Sequence, residues 1–116
     1  MPATVEELAA IESRLRAILD PYVGRLELAT IYNIPTLRKA GANAHNWFAF
    51  VKPQSKHVGF YLLPMHRYPA LREGLSPALA KRLTGASAFT FRTLDEVLFT
   101  ELEGVVARAY DLYVAD

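Results

Sequence analysis

The chain has 116 residues, with 13 basic and 12 acidic side chains, a formal net charge of +1 and no cysteine. This length suits one domain, and the near-neutral charge gives no electrostatic reason to expect nucleic acid or an anionic membrane as a partner. The lack of cysteine excludes disulfides, thiolate catalysis and sulfur-ligated metals.

Hydrophobic residues make up 52% of the chain, slightly more than the roughly 45–50% of typical domains. This fits either a well-filled core or a surface that is buried against a second copy. Segment 1–7 lacks the pattern of a signal peptide, and no run approaches the roughly 20 apolar residues of a membrane span. We therefore expect a single domain over residues 1–116 in the cytoplasm.

The first predicted element is a helix that begins at a capping box of Thr4 and Glu7, whose side chains satisfy free amides at the helix start. Asp20-Pro21 ends it, because proline disfavours a helical residue before it. Apolar residues between these limits fall on one helical stripe: Leu8, Ile11, Leu15, Ile18 and Leu19.

Four strands are predicted. The first covers 26–32 and is closed by Pro35, and a polar turn over 38–44 follows. Strands over 46–52 and 57–63 are joined by a hairpin-length loop and are expected to pair antiparallel. Ser76-Pro77 favours a short helix to about Leu83, and 87–92 forms the fourth strand.

A second capping box, Thr93 and Glu96, begins a long final helix. Its apolar face carries Leu98, Leu102, Val105, Val106, Ala109 and Leu112. The order of elements predicts an α+β fold, a two-layer α/β sandwich in which the N- and C-terminal helices pack on one face of a small antiparallel sheet.

Alternation along the strands divides their side chains between two faces. The set predicted to lie under the helices is Phe48, Phe50, Val58, Phe60, Leu62, Phe89 and Phe91. The opposite set is Trp47, Ala49, Val51, His57, Gly59, Tyr61, Leu63, Ala88, Thr90 and Arg92. Apolar side chains on an uncovered face predict a contact site, either a homodimer interface or a small-ligand pocket, unless the short helix from Ser76 covers that face.

If a small molecule binds there, the predicted ligand-binding residues are Trp47 and Tyr61, with Tyr32 and Arg92 at the rim. The aromatic rings offer apolar area and stacking, and Arg92 offers a charged fork for an anion. A loose basic group around the short helix is a candidate for steering such an anion: Arg67, Arg72, Lys81 and Arg82.

No catalytic residue, metal site or cofactor is predicted. His45, His57 and His66 lack the i, i+4 spacing of a helical metal site, and Arg14 and Arg16 interrupt the acids of the first helix. No serine lies in a nucleophile elbow.

Several landmarks occur together: Ile31-Tyr32-Asn33-Ile34-Pro35, then 49–52 (AFVK), 57–61 (HVGFY) and 89–92 (FTFR) before Leu94-Asp95-Glu96. In these segments the chain resembles the YdhG-like family of small bacterial proteins, catalogued as domain of unknown function 1801. The resemblance covers roughly Ile11 to Tyr113 and implies an α/β sandwich similar to frataxin.

Some members of that family are described as frataxin-like iron chaperones. This chain departs from them, because its charge is balanced where frataxin-type iron surfaces are strongly acidic. The sequence therefore predicts a non-catalytic binding or interaction module of the YdhG-like type. A frataxin-like iron-binding or iron-delivery protein is the alternative, and an enzyme acting on a small anionic substrate is a weaker one.

Overall fold

In the computed structural model, the chain is described over residues 4–31, 34–38, 47–85 and 87–115. The helices are α1 (Val5–Leu19), α2 (Pro64–Arg67), α3 (Ala70–Glu73), α4 (Pro77–Ala80) and α5 (Glu96–Ala115), with a 3₁₀ turn at Asp20–Tyr22. The strands are β1 (Glu27–Ile31), β2 (Ile34–Arg38), β3 (Trp47–Pro53), β4 (Val58–Leu62), β5 (Leu83–Thr84) and β6 (Ala88–Phe91). None of the helices in these ranges is long and apolar enough to cross a membrane.

The strands form one antiparallel sheet in the order β1-β2-β3-β4-β6-β5. On one face, α1 packs chiefly on β3 and β4 and also contacts α5. The ring of Phe99 on α5 meets Phe91 edge-on at 5.0 Å, so α5 lies on the same face as α1. This confirms the predicted α+β sandwich with both terminal helices on one side of the sheet. We call this side the helix side and the opposite side the open side.

The start of α1 follows the prediction. The Glu7 amide donates a hydrogen bond to Thr4 Oγ1 at 3.0 Å, and the five residues of the predicted stripe are all buried. The start of α5 differs, because Asp95 and not Thr93 caps it: the Leu98 amide donates to Asp95 Oδ1 at 3.2 Å. Leu112, which was predicted on the buried face of α5, is exposed.

Two strands, β2 and β5, were not predicted, because β2 contains a proline and β5 has only two residues. β2 includes Pro35, which was expected to close a strand. The pairing of β2 with β3 begins at the next residue, Thr36. Within sheets, proline is found mainly on edge strands, at strand starts and at bulges, and Pro35 is the second residue of β2. β5 takes Leu83 and Thr84, which pair with Phe89 and Ala88 of β6, so α4 ends earlier than the predicted Leu83.

The face assignment of β3 was wrong in part. Leu37 of β2 pairs with Ala49 of β3, but the next residue of β2, Arg38, pairs with Trp47. Phe48 is therefore an extra residue of β3 at a register shift, which is a β-bulge. A bulge of this kind reverses the alternation beyond it. Ala49 and Val51, predicted on the open side, are therefore buried on the helix side.

Phe48 itself is buried among three tyrosines on the helix side. Its ring centroid lies 5.2 Å from Tyr113, 5.6 Å from Tyr22 and 5.8 Å from Tyr110. The bulge thus ties the start of β3 to the 3₁₀ turn and to the last turns of α5. Phe50, predicted in the core, lies on the open side.

Candidate functional site

The structure describes three of the four predicted ligand-binding residues, Trp47, Tyr61 and Arg92, and it does not bring these three together. Tyr32 lies outside the described residues. Trp47 is paired with Arg38 at the start of β3, but its side chain is buried, with only 8% exposed. The described residues provide no hydrogen-bond acceptor for its indole N–H. A ring this buried offers little surface for a ligand to stack on.

Tyr61 lies on the open side, as predicted, and is half-buried. Its ring stacks on that of its cross-strand neighbour Phe50, with centroids 4.6 Å apart and planes 6° from parallel. The ring also leans over Gly59, where an added Cβ would come within 2.8 Å of Tyr61 Cε1. Glycine at this position therefore lets the Tyr61 ring lie close to the sheet.

We expect Gly59→Ala to destabilise the protein by about 1 kcal/mol, because the new methyl pushes Tyr61 off its stack with Phe50. In a Tyr61→Ala background, the same change should be neutral or stabilising, since alanine suits a strand better than glycine. Urea denaturation of the four proteins of this double-mutant cycle measures the coupling. An equal cost in both backgrounds would show that the Tyr61 ring does not lie over Gly59.

Arg92 does not lie next to Tyr61. Tyr61 is paired with Ala88, and Arg92 follows four residues later, just beyond the end of β6. At about 3.3 Å per residue, the two backbone positions are roughly 13 Å apart. The single site predicted from the sequence is therefore divided into an aromatic pair on the open side and a separate cleft around Arg92.

The cleft around Arg92 has a volume of about 250 Å³ and lies between α4, the end of β6 and the start of α5. We call it the basic cleft. Its lining residues are Ala78, Lys81, Arg82, Phe91, Arg92, Thr93, Asp95 and Leu98. The structure thus brings Arg92 together with two members of the predicted basic group, Lys81 and Arg82, while Arg67 and Arg72 are on α2 and α3 and do not line the cleft.

Positive charge predominates in the basic cleft. Lys81, Arg82 and Arg92 form no ion pair with any described residue. Asp95 is the single acid in the lining, and it accepts the Leu98 amide as the cap of α5. Three cations against one carboxylate leave an excess of positive charge that favours an anion.

Two further acids of α5, Glu96 and Glu101, are held by other partners. Arg14 Nε donates to both carboxylate oxygens of Glu96 at 3.0 Å. Glu101 accepts the Ser76 hydroxyl at 2.6 Å and the Ser76 amide at 2.8 Å. Both carboxylates are therefore engaged by residues outside the basic cleft, and neither lines it.

Backbone hydrogen bonds fix the positions from which the cations extend. Ser76 caps α4 through a bond from the Leu79 amide at 3.2 Å, and the Arg82 amide donates to the Leu79 carbonyl at 2.9 Å. The Thr90 amide donates to the Arg82 carbonyl at 2.7 Å, which joins this segment to β6. The basic cleft therefore has a defined frame even though its charged side chains reach solvent.

No family model, no curated protein and no solved structure matches this chain.

The described part of the chain holds no cluster of three or more histidine, cysteine, aspartate or glutamate side chains suited to a metal ion. His57 lies just before β4 and His66 on α2, and His45 is outside the described residues. Sequence reasoning missed Thr93 and Asp95 as lining residues of the basic cleft. Their position just after the predicted strand 87–92, which ends at Arg92, was the signal that could have identified them.

Proposed function

We propose that this protein is a non-catalytic binding module that takes a small organic anion in the basic cleft. The observation that carries the proposal is the convergence of Lys81, Arg82 and Arg92, without acidic partners among the described residues, on one cavity of about 250 Å³. Arginine forks suit phosphate and carboxylate groups, which they bind through paired charge-assisted hydrogen bonds.

The apolar part of the lining favours an anion with a small organic body. Phe91, Leu98 and Ala78 contribute carbon surface beside the cations, and pockets of this kind combine apolar walls with a few placed polar groups. Asp95 accepts the Leu98 amide through Oδ1 and so has a structural role as the cap of α5.

A titration of isotope-labelled protein with inorganic phosphate, followed by amide NMR, tests the proposal. We expect shifts at Thr93, Asp95 and Leu98 and an affinity that falls as salt is added, because exposed charges are screened. Arg92→Gln should weaken binding by about tenfold or more, the loss of one charge-assisted contact worth about 1.5–3 kcal/mol.

Arg108→Gln is the matched control, because Arg108 is an exposed arginine on α5 that does not line the basic cleft. It should leave phosphate binding unchanged. Equal weakening by both variants would mean that phosphate senses only the net charge of the protein. The absence of any shift around the cleft would contradict the proposal directly.

Membership of the YdhG-like family, a cytoplasmic location and a homodimeric state stay predictions. So does the iron-handling alternative. Of the acids on α1 that an iron surface would use, Glu12 accepts a hydrogen bond from Arg16 Nε at 2.8 Å. That engagement favours the anion-binding proposal over a cation surface on α1.

A further inference from the structure

An open apolar groove lies beside α1, over β1 and β2 on the helix side. It arises because α1 packs chiefly on β3 and β4 and leaves the margin of the sheet uncovered. The groove has a volume of about 150 Å³ and is lined by Arg16, Leu19, Asp20, Val23, Leu28, Leu37, Ala49 and Val51. Val23 and Leu28 remain 49% and 62% exposed, so the described residues of one copy leave this apolar surface open.

The strand beside the groove is an edge of the described sheet. β1 pairs with β2 on one side, and none of the described residues forms a partner strand on its other side. Edge strands are usually protected by lysine, proline, bulges or short length. β5, at the opposite edge, has two residues, whereas β1 has five and carries neither lysine nor proline. Its one charged residue, Glu27, is paired with Arg38 at 2.9 Å.

We propose that β1 pairs antiparallel with β1 of a second copy, about a two-fold axis at Ala29. This register pairs all five residues, with Glu27 opposite the partner's Ile31 and Leu28 opposite the partner's Thr30. A two-fold axis perpendicular to the sheet places the helix sides of both copies on the same side of a continuous sheet. The groove of one copy then lies next to the groove of the other.

This register brings the exposed apolar residues together. Leu28 is paired with the buried Leu37, so its side chain points to the helix side. Residues at diagonal positions of an antiparallel pair are about 7–8 Å apart and within reach of long side chains. The Leu28 side chains of the two copies occupy such diagonal positions, and both become covered.

The side chains of β1 are compatible with antiparallel pairing between two copies. In this register no two like charges face each other, because Glu27 lies opposite an apolar residue. The net charge of +1 adds little repulsion between copies. A stable interface buries about 1,200–2,000 Å² in total, more than two short strands supply alone. The exposed side chains of Val23 and Leu28 add apolar surface to that of the paired strands.

The interface is independent of the basic cleft, because β1 and β6 are four strand spacings apart in the sheet, or roughly 19 Å.

The first test of the proposed dimer is sedimentation equilibrium from low to high micromolar concentration. We expect a mass of twice the 13.0 kDa of one chain. Leu28→Lys should raise the dimer dissociation constant by about tenfold or more.

Val97→Lys is the control, since Val97 is 79% exposed on α5 and lies away from β1. The Val97→Lys variant should stay dimeric, and circular dichroism should show that both variants are folded.

A second test uses the absence of cysteine from the chain. Directly opposed residues of antiparallel strands have Cα atoms about 4.5–5.5 Å apart, within the range that a disulfide spans. Ala29→Cys should therefore form a disulfide-linked dimer on mild oxidation, and Val97→Cys should not.

A monomer at high micromolar concentration overturns the proposal and leaves β1 open to a strand of another protein. A dimer that survives Leu28→Lys and does not cross-link through Ala29→Cys overturns it as well, because the contact then lies elsewhere.

Discussion

Replacing Phe48 with alanine is expected to lower the free energy of unfolding by about 3–5 kcal/mol, the usual cost of truncating a buried phenylalanine. The same change at Phe50 should cost only about 1–2 kcal/mol, because it removes one stacked pair on a half-buried surface. Phe48 has no exposed surface and its ring contacts Tyr22, Tyr110 and Tyr113. Phe50 has one ring partner among the described residues, Tyr61.

Urea denaturation of the two variants measures this difference. The comparison is well matched, because both changes remove the same side chain from the same strand, two residues apart. Strict alternation would place both rings on one face and predicts similar losses. Equal costs, or a larger cost at Phe50, would therefore contradict the bulge at Phe48.

Phe60→Ala is expected to have an effect of similar size, again about 3–5 kcal/mol. Phe60 lies at the centre of the sheet with no exposed surface, paired with Val51 on one side and Phe89 on the other. All three side chains face α1 and α5, so the change leaves a cavity that neighbouring residues cannot close. Small domains are stable by about 5–15 kcal/mol in all, so this variant should lose a large share of its stability.

Tyr61→Ala, one residue along the same strand, is the control. It removes a ring from the open side and should cost about 1–2 kcal/mol. Each kilocalorie should shift the midpoint of thermal unfolding by about 4–8 °C for a chain near this size, so calorimetry separates the two variants. A larger shift for Tyr61→Ala would show that the two faces of the sheet are assigned the wrong way round.

Trp47→Ala is less informative about ligand binding than the sequence suggested. The Trp47 side chain is buried, so truncating it lowers stability whether or not a ligand binds there.

The candidate site could be predicted only in part. Lys81, Arg82 and Arg92 are recognisable in the sequence as cations near a short helix and at a strand end. Their convergence depends on the pairing of β5 with β6 and on the Thr90–Arg82 backbone bond. Neither has a local signal, since the two residues of β5 are too few to show a strand pattern. The engagement of Glu96 depends on a contact of still longer range, because its partner Arg14 lies 82 residues away in sequence.

The sequence by itself determined the elements whose signals are local. The Thr4 cap, the apolar stripes of α1 and α5 and the β3–β4 hairpin were all readable, because each depends on residues within a few positions of one another. From these the two-layer arrangement followed, since the apolar stripes of both helices require burial on the sheet. Only the tertiary structure decided which side chains of β3 face the helices. A bulge is set by the register with β2, and one extra residue there reverses every later side chain.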